Sequence, residues 1–444
     1  MLNISATALC VAFIFGDTIN NMEETNNISE NENLTEESGR DSESCKETKK
    51  QKSPMRPVRA FLSGVCTTLA ILIAVGLLLV LIPFRNASSP LSVNAIKKLN
   101  RIVSLIQNNY LGDIDAQQLT DYMYLGLVAG LEDTYSSYYT AEQLEAVRKQ
   151  QSGYYTGIGI SIASEDEQLT VVAVTEDSPA EAAGILAGDI ILSINSTDTS
   201  GMTTSEAAAL IQGDEDDTVI LEIHRTDTDE TLTFEVPLDE LEATYVVGGL
   251  IDDTIGYIRI AKFTKVTSDQ FAAAYQQILD EGAASLILDL RGNPGGLTDS
   301  VTDVAAQILP AGLLYYTEDK YGNREEKILK EGTPIEMPFA VLVDEDSASA
   351  SEILAGAIQD YGLGTIIGET TFGKGIVQST YELSDGSALK ITTSHYYTPD
   401  GNDIHGVGIT PDIEVPLDED AESDAQLQAA IDLLSEGVSE ETDE

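Results

Sequence analysis

The chain has 444 residues, 42% of them hydrophobic, with 75 acidic against 24 basic side chains and a formal net charge of −51. That length predicts two or three folded units plus tails; the charge excludes a nucleic-acid partner, because phosphate recognition needs clustered Lys and Arg, and reads instead as a solvated acidic surface. The cysteines, Cys10, Cys45 and Cys66, all precede residue 67, so no disulfide can staple the main body, and cysteine usage alone leaves the compartment open.

Residues 1–15 are partly apolar but lack a basic leading segment and are too short to span a bilayer, so they do not read as a signal peptide. Residues 16–55 are rich in Asn, Glu, Ser and Thr, cannot bury enough apolar surface to offset chain entropy, and place a disordered tail over 1–59. From 60 to 82 the chain runs 23 residues without a charge. As a helix this stretch would reach about 35 Å, enough for the hydrocarbon core of a membrane. Lys46, Lys49, Lys50, Lys52, Arg56 and Arg59 precede it, against Arg85, Lys97 and Lys98 after it. That asymmetry predicts a single-pass membrane protein with residues 1–59 in the cytoplasm and the large body outside. No A-x-A-like site follows the span, which favours retention of the anchor.

Residues 90–150 read as helical: Ile96, Leu99, Ile102, Val103 and Ile106 recur at helical spacing, as do Leu119, Met123, Leu127 and Leu131. Residues 153–240 change to short alternating runs at 157–162, 169–174 and 219–223, a small β-rich module with helical interruptions at 180–184 and 205–211. Over 245–416 strands at 255–260, 285–290 and 339–343 alternate with helices at 268–281, 299–309 and 350–359, which predicts an α/β core with at least partly parallel strands. The remainder, 417–444, reads as an acidic, disordered tail apart from a short apolar periodicity at Leu427, Ile431 and Leu434.

The chemistry concentrates in the α/β region. Ser347, Ser349 and Ser351 stand at the start of an apolar helix, and Lys374 follows between Gly373 and Gly375. A serine hydroxyl needs a base to become a nucleophile, and a lysine can serve if burial or neighbouring charge lowers its pKa. Composition leaves the three serines open, although Ser349-x-x-Glu352 fits a capping box that places Ser349 at a helix N-terminus beside the Ala350 amide. In an extended segment Lys374, Ile376 and Gln378 share one face, so the Gln378 amide could reach the lysine or the serine. The chain has only three histidines; a rival Ser/His/Asp site would use His395 or His405 with Asp403 or Asp412. Three scattered histidines without cysteine make a metal site the weaker reading. The turn from Asp289 to Gly296 joins a strand to a helix, can offer amides to an anion, and lacks both phosphate-loop patterns.

Five motifs in order carry a resemblance: Leu131 to Tyr138 (LEDTYSSY, with Thr134 where proline is usual), Asp289 to Gly296 (DLRGNPGG), Ser347 to Glu352 (SASASE), Phe372 to Gln378 (FGKGIVQ) and Tyr396 to Pro399 (YYTP). The chain resembles the carboxy-terminal processing peptidases, serine proteases with a PDZ domain ahead of a Ser/Lys core. The resemblance covers residues 90–416 and implies an α/β, ClpP/crotonase-like protease core with an inserted PDZ domain, an N-terminal helical segment and one transmembrane helix. It implies Ser349 as nucleophile, Lys374 as base, Gln378 as the orienting third member, and the amides of Ala350 and Gly295 as oxyanion donors, with Gly296 adjacent as the competing glycine. It implies further that Gly157, Ile158, Gly159 and Ile160 form the carboxylate-binding loop of the PDZ domain, and that Ser178 to Asp189 is its second signature, with Leu186 where a basic residue is frequent. The expected activity is trimming of proteins with exposed C-termini, without a cofactor; oligomeric state stays open. The alternative is a non-catalytic PDZ-bearing scaffold that binds peptides and leaves them whole.

Overall fold

The computed structural model describes residue 71 and residues 92–441, apart from 166–167, 214–216, 253 and 418–422. The tail expected over 1–59 and, but for Ile71, the span expected over 60–82 lie outside the described residues; among those described, no helix is long and apolar enough to cross a membrane. The chain divides into two compact units, up to Leu111 and from Gly112. In the first, helix α1 (Val93–Asn109) is capped by Ser92, whose hydroxyl accepts the Ala95 N–H at 3.2 Å.

The second unit begins with α2 (Ala116–Ala129), the short strand β1 (Ser137–Tyr139) and α3 (Ala141–Ser152). Strand β2 (Tyr154–Gly157) pairs antiparallel with β9 (Asp239–Glu242), Gly157 opposite Asp239, and between them the chain makes the β module. There β3 (Ile160–Glu165), β4 (Gln168–Val174), β5 (Asp189–Ile194), β7 (Thr218–Arg225) and β8 (Glu230–Pro237) form an antiparallel sheet in that order, with β6 (Thr197–Asp198) on β5. Alternate residues Val219, Leu221 and Ile223 of β7 point inward with Leu169, Val171 and Ile191, the period of two expected of a sheet with one wet face. Helices α4 (Pro179–Ala183) and α5 (Thr204–Ile211) fall where the sequence interrupts its alternation.

The α/β region is a six-stranded sheet: β10 (Val246–Leu250), β11 (Ile255–Ile260), β12 (Ser285–Asp289), β15 (Phe339–Val343), β16 (Thr365–Gly368) and β19 (Ile413–Glu414), all neighbours parallel except β10 with β11. β12 and β15 are buried at every position, because both faces are covered. Leu286, Leu288, Val341 and Val343 meet α6 (Thr267–Glu281), α7 (Thr298–Ala305) and α8 (Ala350–Tyr361) on one face. Ile287, Ala340 and Leu342 meet α9 (Ala425–Glu441) on the other. The tail expected to be disordered over 417–444 therefore contains a helix, which buries Ala430 and Leu434 on the sheet, and Asp424 just before it pairs with Arg291 at 2.8 Å. Helix α7 is also shorter than the 299–309 segment expected.

A further sheet, which the alternation did not reveal, is wholly antiparallel. β18 (Ala388–Tyr397) pairs with β17 (Ile376–Glu382), with β13 (Gly312–Asp319) and with β1, and β13 continues into β14 (Arg324–Leu329). It brings the 131–138 motif, the segment after Lys374 and the Tyr396–Tyr397 pair into one neighbourhood.

Candidate active site

Three chain segments converge at the C-terminal ends of β12, β15 and β16, where open α/β sheets place their ligands. After β12 the chain turns sharply through Gly292, Asn293, Gly295 and Gly296. After β15 it runs through Ser347 to the head of α8, and after β16 through Thr371 and Gly373 to Lys374.

Burial separates the three serines. Ser347 and Ser351 are fully buried and bonded: the Ser347 hydroxyl donates to the Leu290 carbonyl at 2.9 Å, and that of Ser351 to the Asn293 carbonyl at 2.9 Å. Ser349 alone of the three is partly exposed, and its hydroxyl donates to no acceptor among the described residues. Its backbone is also unusual, with φ 57° and ψ −109°. An ordinary N-cap is extended, and a non-glycine residue at positive φ costs about 1–3 kcal/mol, a strain kept where function needs it.

The strained turn is held from several sides. The Ser349 N–H donates to Glu352 Oε2 at 2.7 Å, and its carbonyl accepts the hydroxyl of the buried Tyr396 at 3.0 Å. Asn293, fully buried, accepts the Ala348 N–H at 3.0 Å and donates from Nδ2 to the Ile260 carbonyl at 2.9 Å. Gly295 has φ 95°, and a Cβ there would lie 2.7 Å from the Ala348 oxygen, 2.8 Å from the Ala350 nitrogen and 2.9 Å from the Ser349 Cβ. Only a glycine lets the turn after β12 lie this close to the head of α8.

Two expected oxyanion donors are therefore adjacent. The Ala350 N–H, at the first position of α8, meets no acceptor among the described residues, as the free amides of a helix N-terminus allow. The Gly295 N–H is turned toward Asn293 Oδ1 at 2.9 Å, whereas that of Gly296 has no acceptor among the described residues.

Lys374 is half-buried. Its pKa is lowered first by that burial and then by repulsion from Lys390, with the attraction of Glu352 opposing. Its Nζ sits over the ring of Tyr135, 4.8 Å from the centroid, and donates no hydrogen bond among the described residues. Gln378, on β17, lies at the outer limit of hydrogen-bond distance from the Thr392 hydroxyl (3.4 Å) and the Ile376 carbonyl (3.5 Å) and does not bond to Ser349 or Lys374.

Sequence reasoning left Glu352 as a helix cap, and the structure gives it far more. The carboxylate is fully buried and accepts four donors: at Oε1 the Thr371 hydroxyl and the Gly373 N–H, both at 2.7 Å, and at Oε2 the N–H groups of Ser349 (2.7 Å) and Lys374 (2.9 Å). One oxygen thus joins the backbones of the serine and the lysine. The S-x-x-E spacing signalled the first of these bonds; the others cross from another segment and leave no local trace.

The rival base gains no such support. The rings of His395 and His405 pack edge to face at 5.3 Å, and neither imidazole hydrogen-bonds to Ser349 or to a carboxylate among the described residues. Asp403 accepts the backbone N–H of His405 at 3.0 Å, and Asp412 that of Ile366 at 2.8 Å.

In the β module, Gly157, Ile158, Gly159 and Ile160 line a groove of about 430 Å³ whose far side is Ala208 and Ile211 of α5. The Ile158 and Gly159 N–H groups meet no acceptor among the described residues, so two successive amides are available to an anion. Gly159, at φ 82°, packs its Cα against Ser178, the head of the second signature, where a Cβ would lie 2.2 Å from that of the serine.

Comparison with known proteins identifies three family matches along the chain. Residues 254–415 match peptidase family S41, residues 170–225 match the PDZ domain, and residues 84–143 match the activating protease CtpB N-terminal domain. The carboxyl-terminal-processing protease of Synechocystis sp. is 38% identical over 324 residues, 70% of this chain and 76% of that protein. The carboxy-terminal processing protease CtpA of Bacillus subtilis is 34% identical over 321 residues, 72% of this chain and 69% of that protein. Among solved structures, a photosystem II D1 C-terminal processing protease is 29% identical, covers 72% of this chain and 86% of its own, and superposes with a TM-score of 0.43.

Proposed function

The chain belongs to peptidase family S41, among its PDZ-bearing carboxyl-terminal processing proteases, and from that premise we propose that it is a serine endopeptidase working through Ser349 and Lys374. Ser349 Oγ attacks the scissile carbonyl while the neutral Lys374 amine accepts the hydroxyl proton. The resulting oxyanion is held by the Ala350 N–H and by the Gly296 N–H, because the expected donor, the Gly295 N–H, is already bonded to Asn293 Oδ1. As the tetrahedral intermediate collapses, the C–N bond breaks and the Lys374 ammonium returns the proton to the leaving amine. Water, deprotonated by the same lysine, then attacks the acyl-enzyme ester; the ester C–O bond breaks and the Lys374 ammonium returns the proton to Ser349 Oγ. Gln378 orients the lysine once Nζ has moved from the ring of Tyr135 toward Oγ, a change compatible with the loose catalytic contacts of a substrate-free site.

The observation that carries this reading is the Glu352 carboxylate, whose Oε2 accepts the amides of both Ser349 and Lys374 and makes the nucleophile and base segments one unit. The groove at Gly157–Ile160 takes the substrate's terminal carboxylate on the Ile158 and Gly159 amides, with the peptide lying along β3. The uncharged stretch 60–82 with its preceding Lys and Arg supports a membrane anchor that keeps the body outside the cytoplasm.

Ser349→Ala and, separately, Lys374→Ala should each lower kcat by about 10⁴-fold or more on an unfolded protein substrate. Measurable turnover in either variant near the parent rate overturns the dyad. Inhibition by a metal chelator with both residues dispensable would overturn the enzyme class.

A further inference from the structure

The motif from Leu131 to Tyr138 is one of the five that carry the family resemblance, yet nothing in the hydrolytic steps uses it. Its geometry is nevertheless built with care. Asp133 accepts the Tyr135 N–H at 3.0 Å and the Ser136 hydroxyl at 2.6 Å, a turn that ends in β1. These donors hold the Asp133 carboxyl below its ordinary range, the Ser136 hydroxyl foremost. The Ser136 oxygen in turn accepts the Thr392 N–H of β18 at 3.1 Å, and β1 pairs with Ser387's neighbour Ala388 through Lys390 on the same strand. The turn is thus pinned to the antiparallel sheet at two points, and what it presents is the ring of Tyr135, half-buried, 4.8 Å beneath Lys374 Nζ.

An aromatic ring at that distance attracts an ammonium and does nothing comparable for a neutral amine. The other groups that act on this amine are Lys390, from β18, which repels the ammonium, and Glu352, from α8, which attracts it. The ring is the one among them that contacts Nζ directly. We propose that Tyr135 is a positioning residue: its ring holds Lys374 as the ammonium in the substrate-free protein and so sets the pH at which the base becomes available. The inference rests on Lys374 being the base.

The test is the pH profile of kcat/KM, which reports groups in the free enzyme, measured on the full chain with an unfolded protein substrate. Tyr135→Leu keeps an apolar neighbour but removes the ring's quadrupole, and should move the acidic limb down by about half a unit to one and a half units. Tyr135→Phe should leave the limb in place. Because a leucine in this turn could prevent folding, a series of phenylalanine and progressively fluorinated phenylalanines at position 135 keeps the shape and weakens only the ring's field; the limb should descend step by step with fluorination. A limb that ignores both the leucine and the fluorine count, in a protein that still requires Lys374, overturns the role of the ring. If Lys374→Ala retains activity, the base assignment itself falls, and the proposal with it.

Discussion

Replacing Glu352 by glutamine keeps the size and shape of the side chain and removes its charge. The buried carboxylate accepts four donors, two at each oxygen, and offers acceptors only. The glutamine oxygen can satisfy one pair, but its NH₂ group then faces backbone N–H groups that cannot accept from it: that of Gly373 on one side, where the Thr371 hydroxyl can turn to accept, or those of Ser349 and Lys374 on the other. With hydrogen bonds to a charged acceptor at about 1.5–3 kcal/mol each, the loss of one or two predicts destabilisation of about 1.5–6 kcal/mol. Whichever way the amide turns, it disturbs the backbone beside Lys374, the proposed base, and in one orientation that of Ser349, the proposed nucleophile, as well. A displacement of about 1 Å costs on the order of 10²-fold in rate, so kcat should fall by at least that much. Binding of a C-terminal peptide to the groove of the β module, which Glu352 does not line, should stay unchanged. Urea unfolding followed by circular dichroism gives the first quantity, cleavage of an unfolded protein the second, and fluorescence anisotropy of a labelled peptide the third. A Glu352→Gln protein with parental stability and parental kcat would refute the argument that this carboxylate couples the two segments.

Gly295→Ala forces a Cβ to within 3 Å of three atoms at the head of α8 and puts an alanine at φ 95°, so thermal stability should drop by an amount equivalent to about 1–3 kcal/mol and activity should be lost with it. The proposed dyad needs neutral Lys374, which exists above its pKa, so kcat/KM should fall as the pH drops through that value. Lys390→Met removes a repulsion that helps keep the pKa low, and the acidic limb should move to higher pH by about a few tenths of a unit. A shift the other way refutes that assignment of charge. Leu434→Ala, on the sheet-facing side of α9, should cost about 2–4 kcal/mol in denaturant unfolding if the helix seals the sheet as described, and almost nothing if it does not.

The parallel sheet was legible because its strands are continuous apolar runs set between helical periods, and β11 and β15 fall on the expected residues. The antiparallel sheet was not. β18 joins residues 137–139 to 388–390 and carries Lys390, Thr392, Thr393 and Ser394, a half-wet strand with no simple alternation. In the C-terminal segment, acidic composition outweighed the spacing of Leu427, Ile431 and Leu434, although that spacing marks the face α9 turns to the sheet. Spacing could bring the serine run and Lys374 forward, but it could not say which serine was accessible, because the burial of Ser347 and Ser351 depends on Leu290 and Asn293 in another segment. The contact between Tyr135 and Lys374 is likewise a product of sheet pairing across the chain.

The two-stranded ribbon of β2 and β9 is the neck through which the chain both enters and leaves the β module. Gly157 and Asp239 stand opposite each other, so the two ends of everything between them lie about 5 Å apart. A tight hairpin turn could close that gap. The module is therefore an insert with a single doorway: residues 158–238 could be excised, or exchanged for a different domain with adjacent termini, while the parallel sheet that positions Ser349, Glu352 and Lys374 kept its register. The proposed peptide-binding module and the proposed cleavage site are separable parts of this chain, and the ribbon is where a protein engineer would cut.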